Sequence, residues 1–145
     1  MKILVINGAN LNKLGMRSKD QYGAFTQEDL FKWLSARWET DEFTFYQSNI
    51  EGEIVNSIQS ASSEADGLII NPGGYSHTSV AIRDALEICT IPKVEVHLSN
   101  IAAREDFRHH SITGAVCNGY ITGFREYSYD AAVYLLKRLK EGEHD

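Results

Sequence analysis

Only two cysteines occur in the 145 residues, Cys89 and Cys117, and neither belongs to a Cys-x-x-Cys pair. Both stand among apolar neighbours, so they read as buried free thiols rather than a disulfide or a zinc site, and a reduced cytoplasm is the expected compartment. No apolar run approaches the ~20 residues a membrane-spanning helix needs. The opening Met1-Lys2-Ile3-Leu4-Val5-Ile6 is too short for a secretory signal and lacks a small-residue cleavage site. Positive charge is not in excess either: the formal net charge is -6. That argues against nucleic acid as a partner, because phosphate-backbone binders carry a basic face, but it leaves room for a local cationic pocket. The Gly-x-Gly-x-x-Gly, phosphate-loop and nucleophile-elbow patterns are absent, as are repeats, linkers and low-complexity stretches. One domain over residues 1–145 is expected, with a frayed polar tail at 140–145.

Strand and helix signals alternate along the chain. Ile3–Ile6 is a continuous apolar, β-branched run, as for a strand buried on both faces. Thr26, with Asp29 three residues on, has the pattern of a helix N-cap ahead of Leu30, Phe31, Leu34 and Trp38 at helical spacing. Phe43–Tyr46 predicts a second strand, and Ile54, Ile58 and Ala61 an amphipathic helix. Gly67–Ile70 predicts a third, fully buried strand, followed by a helix carrying Val80, Ala81, Ala85, Leu86 and Ile88. Lys93–Leu98 predicts a fourth strand, and residues 102–107 a short helical turn. The fifth strand is expected from Ala115 to Ile121, and a closing helix from Tyr129 to Leu139 that ends at Gly142. The alternation implies parallel crossovers and a three-layer α/β fold. Five strands in this length suggest a flavodoxin-like parallel sheet of order 2-1-3-4-5 with helices on both faces. Ligands then sit at the carboxyl ends of the strands, where strands 1, 3 and 4 adjoin.

The polar clusters fall at those three ends. The first carries Asn7, Asn10 and a Gly-bounded loop with Arg17 and Tyr22. A tyrosine is a poor base unless a nearby cation such as a guanidinium favours its phenolate, so an Arg and a Tyr on one loop suit a lid carrying its own base. A solvated surface loop, and for Asn10 a turn residue bonding its own backbone, are the plainer alternatives. The third strand ends in Asn71-Pro72-Gly73-Gly74-Tyr75-Ser76-His77, where adjacent glycines before a helix let backbone N–H groups approach an anion. The fourth ends in Glu95-Val96-His97-Leu98-Ser99-Asn100. Glu95 and His97 are two apart on an extended segment and share a face, so the carboxylate can fix the imidazole tautomer and make a general acid. Arg104 and Arg108, four apart, share a face if helical and suit an acidic, hydroxylated ligand. His109-His110 has no third ligand at a familiar metal spacing.

Together these blocks resemble the type II 3-dehydroquinate dehydratases. The resemblance rests on Asn7-Gly8-Ala9-Asn10-Leu11 with Leu14-Gly15-Met16-Arg17 and Tyr22-Gly23, on residues 71–85 (Asn71 through Ala85), on Glu95 through Asn100, and on Ala103 through Ser111. It implies that Tyr22, as phenolate, removes a proton alpha to the ketone of 3-dehydroquinate. Arg17 lowers the Tyr22 pKa, and Asn10 helps hold the water that stabilises the enolate. It further implies that His97 protonates the departing hydroxyl, with Glu95 orienting it. Asn71, Leu98 and Ser99 would hold the substrate carboxylate and a nearby hydroxyl, and His77 and Arg108 the ring hydroxyls. Asp84 would reach a neighbouring subunit's pocket, and Arg104 would support the closed lid. The family uses no cofactor and no metal, and assembles as a dodecamer, a tetramer of trimers. The chain departs from the pattern at Ala9, where proline is usual, and at Arg125-Glu126, where many members carry an apolar, Gly-containing turn. A non-catalytic binding module of the same fold is the alternative from a different class.

Overall fold

The computed structural model describes residues 1–16, 20 and 24–142. Arg17, Tyr22 and tail residues 143–145 lie outside the described residues. The chain runs β1 (Lys2–Asn7), α1 (Gln27–Arg37), β2 (Glu42–Gln47), α2 (Glu51–Glu64), β3 (Gly67–Asn71), α3 (Val80–Ile88), β4 (Lys93–His97), β5 (Gly119–Thr122) and α4 (Tyr127–Gly142). The strands form one parallel sheet of order β2-β1-β3-β4-β5, the expected flavodoxin-like arrangement.

Two cores explain why the central strands are apolar without a break. Successive strand side chains face opposite sides of a sheet, and here both sides are covered. Ile3, Val5, Ile69, Val94 and Val96 meet Leu30 and Leu34 of α1 and Tyr129, Ala132, Val133 and Leu136 of α4. On the other side Leu4, Ile6, Leu68 and Ile70 meet Ile54, Ile58 and Ala61 of α2 and Ile82, Ala85 and Leu86 of α3. Each such Leu or Ile stabilises the fold by roughly 1.5–3 kcal/mol on burial. Helix α1 opens on the capping box read from Thr26 and Asp29: Thr26 Oγ1 accepts from the Asp29 N–H, and Asp29 Oδ2 from the Thr26 N–H, both at 3.1 Å.

Three local expectations are corrected. The fifth strand does not begin at Ala115. Gly114–Val116 is a 3-10 turn, and β5 starts only at Gly119, because Ser111 and Thr113 bind Glu95 and draw the incoming chain across the end of the sheet. The turn expected over 102–107 is split into two 3-10 turns, Ile101–Ala103 and Asp106–Arg108, with Arg104 extended between them (φ -108°, ψ -163°). Arg104 and Arg108 therefore do not share a helix face. In α3, Val80 and Ile88 are 59% and 74% exposed, and Ile82 takes the core position with Ala85 and Leu86.

The carboxyl ends of β1 and β3 are held unusually close. Asn7 stands directly opposite Asn71 in the parallel register. A Cβ on Gly8 would lie 2.3 Å from the Pro72 carbonyl oxygen, and one on Gly73 (φ 64°) 2.7 Å from the Ala9 carbonyl oxygen. Only glycine permits this approach.

Candidate active site

A small cavity, open to solvent, lies at the carboxyl ends of β3 and β4. Of the side chains anticipated from the sequence, Asn71, His77, His97, Leu98, Ser99, Arg104 and Arg108 all line it. The glycines Gly73 and Gly74 form part of the wall, and Leu11 and Ile101 supply apolar surface that the sequence reading did not assign.

Strand alternation turns Glu95 and His97 to the same face, and the structure joins them. His97 Nε2 lies 2.8 Å from Glu95 Oε2, with the His97 and Glu95 side chains 6% and 0% exposed. A carboxylate accepts, so the imidazole donates from Nε2 and Nδ1 is left for the cavity. Glu95 itself is held by two hydroxyls: Ser111 Oγ donates to Oε2 at 2.5 Å and Thr113 Oγ1 donates to Oε1. The Gly114 N–H in turn donates to Ser111 Oγ. The sequence reading did not find these two supports. Ser111 and Thr113 are 16 and 18 residues from Glu95, with no periodicity connecting them.

His77 stacks near His97, ring centroids 6.3 Å apart and planes inclined by 23°. Its Nδ1 lies 2.7 Å from the His110 carbonyl oxygen. A carbonyl only accepts, so Nδ1 carries the proton and Nε2 is an acceptor. Burial holds the His77 pKa below the usual imidazole range, outweighing the bond to His110, which acts in the other direction. The ring is therefore neutral near pH 7 and can accept a hydrogen bond from a hydroxyl. Cationic character comes from Arg104, whose Nη1 donates to Ser99 Oγ at 3.2 Å, and from Arg108, whose Nε meets Glu105 at 3.2 Å. No lysine lines the cavity, so an imine-forming amine is absent from its wall among the described residues.

Two further anticipated residues, Asn10 and Asp84, are not among those that line the cavity. Asn10 is exposed in a left-handed conformation (φ 70°) before a 3-10 turn, and its N–H donates to Asn49. Asp84 is 58% exposed on α3 and pairs with Arg83 at 3.3 Å. Cys89 and Cys117 are both free thiols, the first buried and the second half-buried. Burial, reinforced by the Glu95 charge, pushes the Cys117 thiol up to about 12. Among the described residues no His, Cys, Asp or Glu cluster is placed to hold a metal ion, and no helix is long and apolar enough to cross a membrane.

Fold and cavity together define a flavodoxin-like α/β protein with an acid–base pair at the carboxyl edge of its sheet, facing two arginines. Residues 1–137 match the family described as dehydroquinase class II. The chain is 54% identical over 143 residues to the 3-dehydroquinate dehydratase of Fusobacterium nucleatum subsp. nucleatum, covering 94% of this chain and 97% of the relative. It is 51% identical over 144 residues to that of Thermotoga petrophila, covering 97% and 99%. The crystal structure of the type II dehydroquinase from Butyrivibrio crossotus superposes with a TM-score of 0.91 at 48% identity, covering 94% and 97% of the two chains. The chain belongs to the class II dehydroquinase family.

Proposed function

We propose that this chain is a hydro-lyase, a type II 3-dehydroquinate dehydratase that eliminates water in the trans sense from 3-dehydroquinate, through an enolate, to give 3-dehydroshikimate. The observation that carries the reading is the buried Glu95–His97 pair opening onto a small cavity with two arginines, in a chain of this family. Tyr22, as a phenolate that Arg17 favours, takes the proton alpha to the ketone. The electron pair passes into the enolate, and a water held by Asn10 stabilises the developing oxyanion. The carbon–oxygen bond then breaks, and His97, carrying a proton on both ring nitrogens and held through Nε2 by Glu95, gives its Nδ1 proton to the departing hydroxyl, which leaves as water while the ring stays protonated at Nε2. Asn71, Leu98 and Ser99 hold the carboxylate and a hydroxyl. Arg108 and the neutral His77 hold ring hydroxyls, and Arg104 supports the closed lid.

The exposure of Asp84 fits a role toward a neighbouring subunit, in a dodecamer built as a tetramer of trimers. The reaction serves aromatic amino-acid biosynthesis in the cytoplasm; quinate breakdown uses the same step. The test is to mix the protein with 3-dehydroquinate and follow the near-ultraviolet absorbance of the conjugated product, with and without borohydride treatment. A rise that resists borohydride is expected. No rise from folded protein overturns the activity, and loss on borohydride treatment only in the presence of substrate overturns the Tyr22 mechanism.

A further inference from the structure

From Asn71 in the cavity wall a chain of buried polar groups runs back into the core. It starts at a donor whose direction is fixed, the backbone N–H of Gly73, which donates to Asn71 Oδ1 at 3.1 Å. With Oδ1 an acceptor, the other end of the amide is Nδ2, and it donates to Tyr129 Oη at 3.1 Å. Tyr129 is fully buried on α4, and its one hydroxyl proton goes on to Asn7 Oδ1 at 2.6 Å. Asn7, also fully buried, then donates through Nδ2 to Gln27 Oε1 at 3.0 Å. Every bond has a single possible direction, set from Gly73 outward. Burial pushes the Tyr129 phenol up, so the proton this order needs stays in place. Reversal of any amide would oppose two donors or two acceptors at a buried position, which costs far more than it would on the surface.

We propose that Tyr129 and Asn7, anchored by Gln27, are positioning residues that fix the Asn71 amide with Nδ2 as the donor end, so that its second N–H is kept for an oxygen acceptor of the ligand in the cavity. This rests on the substrate reading above and deepens it: Asn71 recognises an acceptor such as a carboxylate, and the selection is made by a tyrosine on α4. The network spans the first strand, third strand, first helix and last helix, so no local motif carries it.

The test is a double-mutant cycle on turnover of 3-dehydroquinate. Tyr129→Phe should raise KM about fivefold while kcat stays within about twofold, the scale of one misdirected hydrogen bond. Asn71→Ala should raise KM at least as much, and the double variant should match Asn71→Ala alone, because Tyr129 acts only through that amide. Losses that multiply in the double variant, or a Tyr129→Phe enzyme with unaltered KM, overturn the positioning role. A second pair decides independently of whether the Tyr129→Phe chain folds. Gln27→Leu, which removes the acceptor for Asn7, should raise KM, and Gln27→Glu, which keeps an acceptor oxygen, should restore it. Equal KM in these two variants overturns the proposal. Absence of turnover by the unsubstituted chain overturns the dehydratase reading itself and the kinetic proposal with it, whereas turnover with multiplying losses overturns the positioning role alone.

Discussion

The two ends of the sheet bury carboxylates in opposite ways. At the amino end, Asp41 is almost fully buried between two cations, the Met1 ammonium at 3.0 Å and Lys137 Nζ at 2.5 Å. Nearby, the half-exposed Asp66 accepts from the Lys2 backbone N–H at 2.8 Å and pairs with Lys140 at 3.2 Å. At the carboxyl end, Glu95 is as deeply buried, but its hydrogen-bond partners are two neutral hydroxyls and one imidazole. A carboxylate neutralised by ammonium groups has nothing left to do but hold elements together. One held by neutral donors keeps its charge for a group that can change protonation, and here that group is His97 at the edge of the cavity. The difference between a stabilising and a reactive buried acid therefore lies in the charge of its partners rather than in its depth.

Substitutions at each end can break this contrast. The largest effect is expected from His97→Ala, which should lower kcat about a thousandfold, within the usual range for loss of a general acid, without unfolding the chain; near-normal turnover would remove His97 from the reaction. Glu95→Gln should follow at about a hundredfold, because a neutral amide keeps the shape but not the charge beside the imidazole. If Glu95→Gln instead lowers the melting temperature and spares kcat, Glu95 is a structural acid like Asp41, and the contrast fails.

Asp41→Asn should do the reverse, costing roughly 3 kcal/mol of stability by leaving the buried Met1 ammonium and the part-exposed Lys137 without their carboxylate while kcat per folded molecule holds. Burial by itself would raise the Asp41 carboxyl, but the bonds and charges of Lys137 and the Met1 ammonium outweigh it and hold the pKa below the ordinary carboxylate value. A lowered folded pKa gives stability that is present above the unfolded value of about 4 and is lost as pH falls through the folded one. Urea denaturation across pH should therefore show the gap between the unsubstituted chain and Asp41→Asn narrowing below about pH 4; a gap independent of pH would show that Asp41 titrates alike in both states. The smallest effect is expected from Arg125→Gly. Arg125 sits at φ 51° just beyond β5, a left-handed conformation that costs a side-chain-bearing residue about 1 kcal/mol or more. Its bond to the Asp20 carbonyl offsets part of the relief, so a gain of about 0.5 kcal/mol in thermal unfolding is expected, with turnover unchanged.

Much of this was legible in the sequence, for physical reasons. Ile3–Ile6 and Gly67–Ile70 read as doubly buried strands because covering both faces abolishes alternation. Glu95 and His97 read as a pair because two residues on a strand share a face whatever the rest of the fold does. The Thr26–Asp29 cap was local and was found. Ser111, Thr113 and Tyr129 were not assigned, because their contacts join segments 16 to 122 residues apart. The late start of β5 was missed because Ala115-Val116-Cys117 has strand-like composition, and the pull of Glu95 on the preceding turn overrides it. A tyrosine on the core face of α4 carries one signal that could have been used: a buried phenol needs a partner.

The placement of the two tryptophans has an optical consequence. Trp38 Nε1 donates to Asp130 at 2.8 Å under the Lys137 ammonium, 5.2 Å from its ring, and Trp33 meets Tyr127 edge-on at 5.6 Å. Both indoles watch the seam between α1 and α4, and neither lines the cavity. Intrinsic emission will therefore register the parting of those two helices during unfolding and stay nearly silent when a small acid fills the pocket. A fluorescence titration that shows no change would say nothing about occupancy.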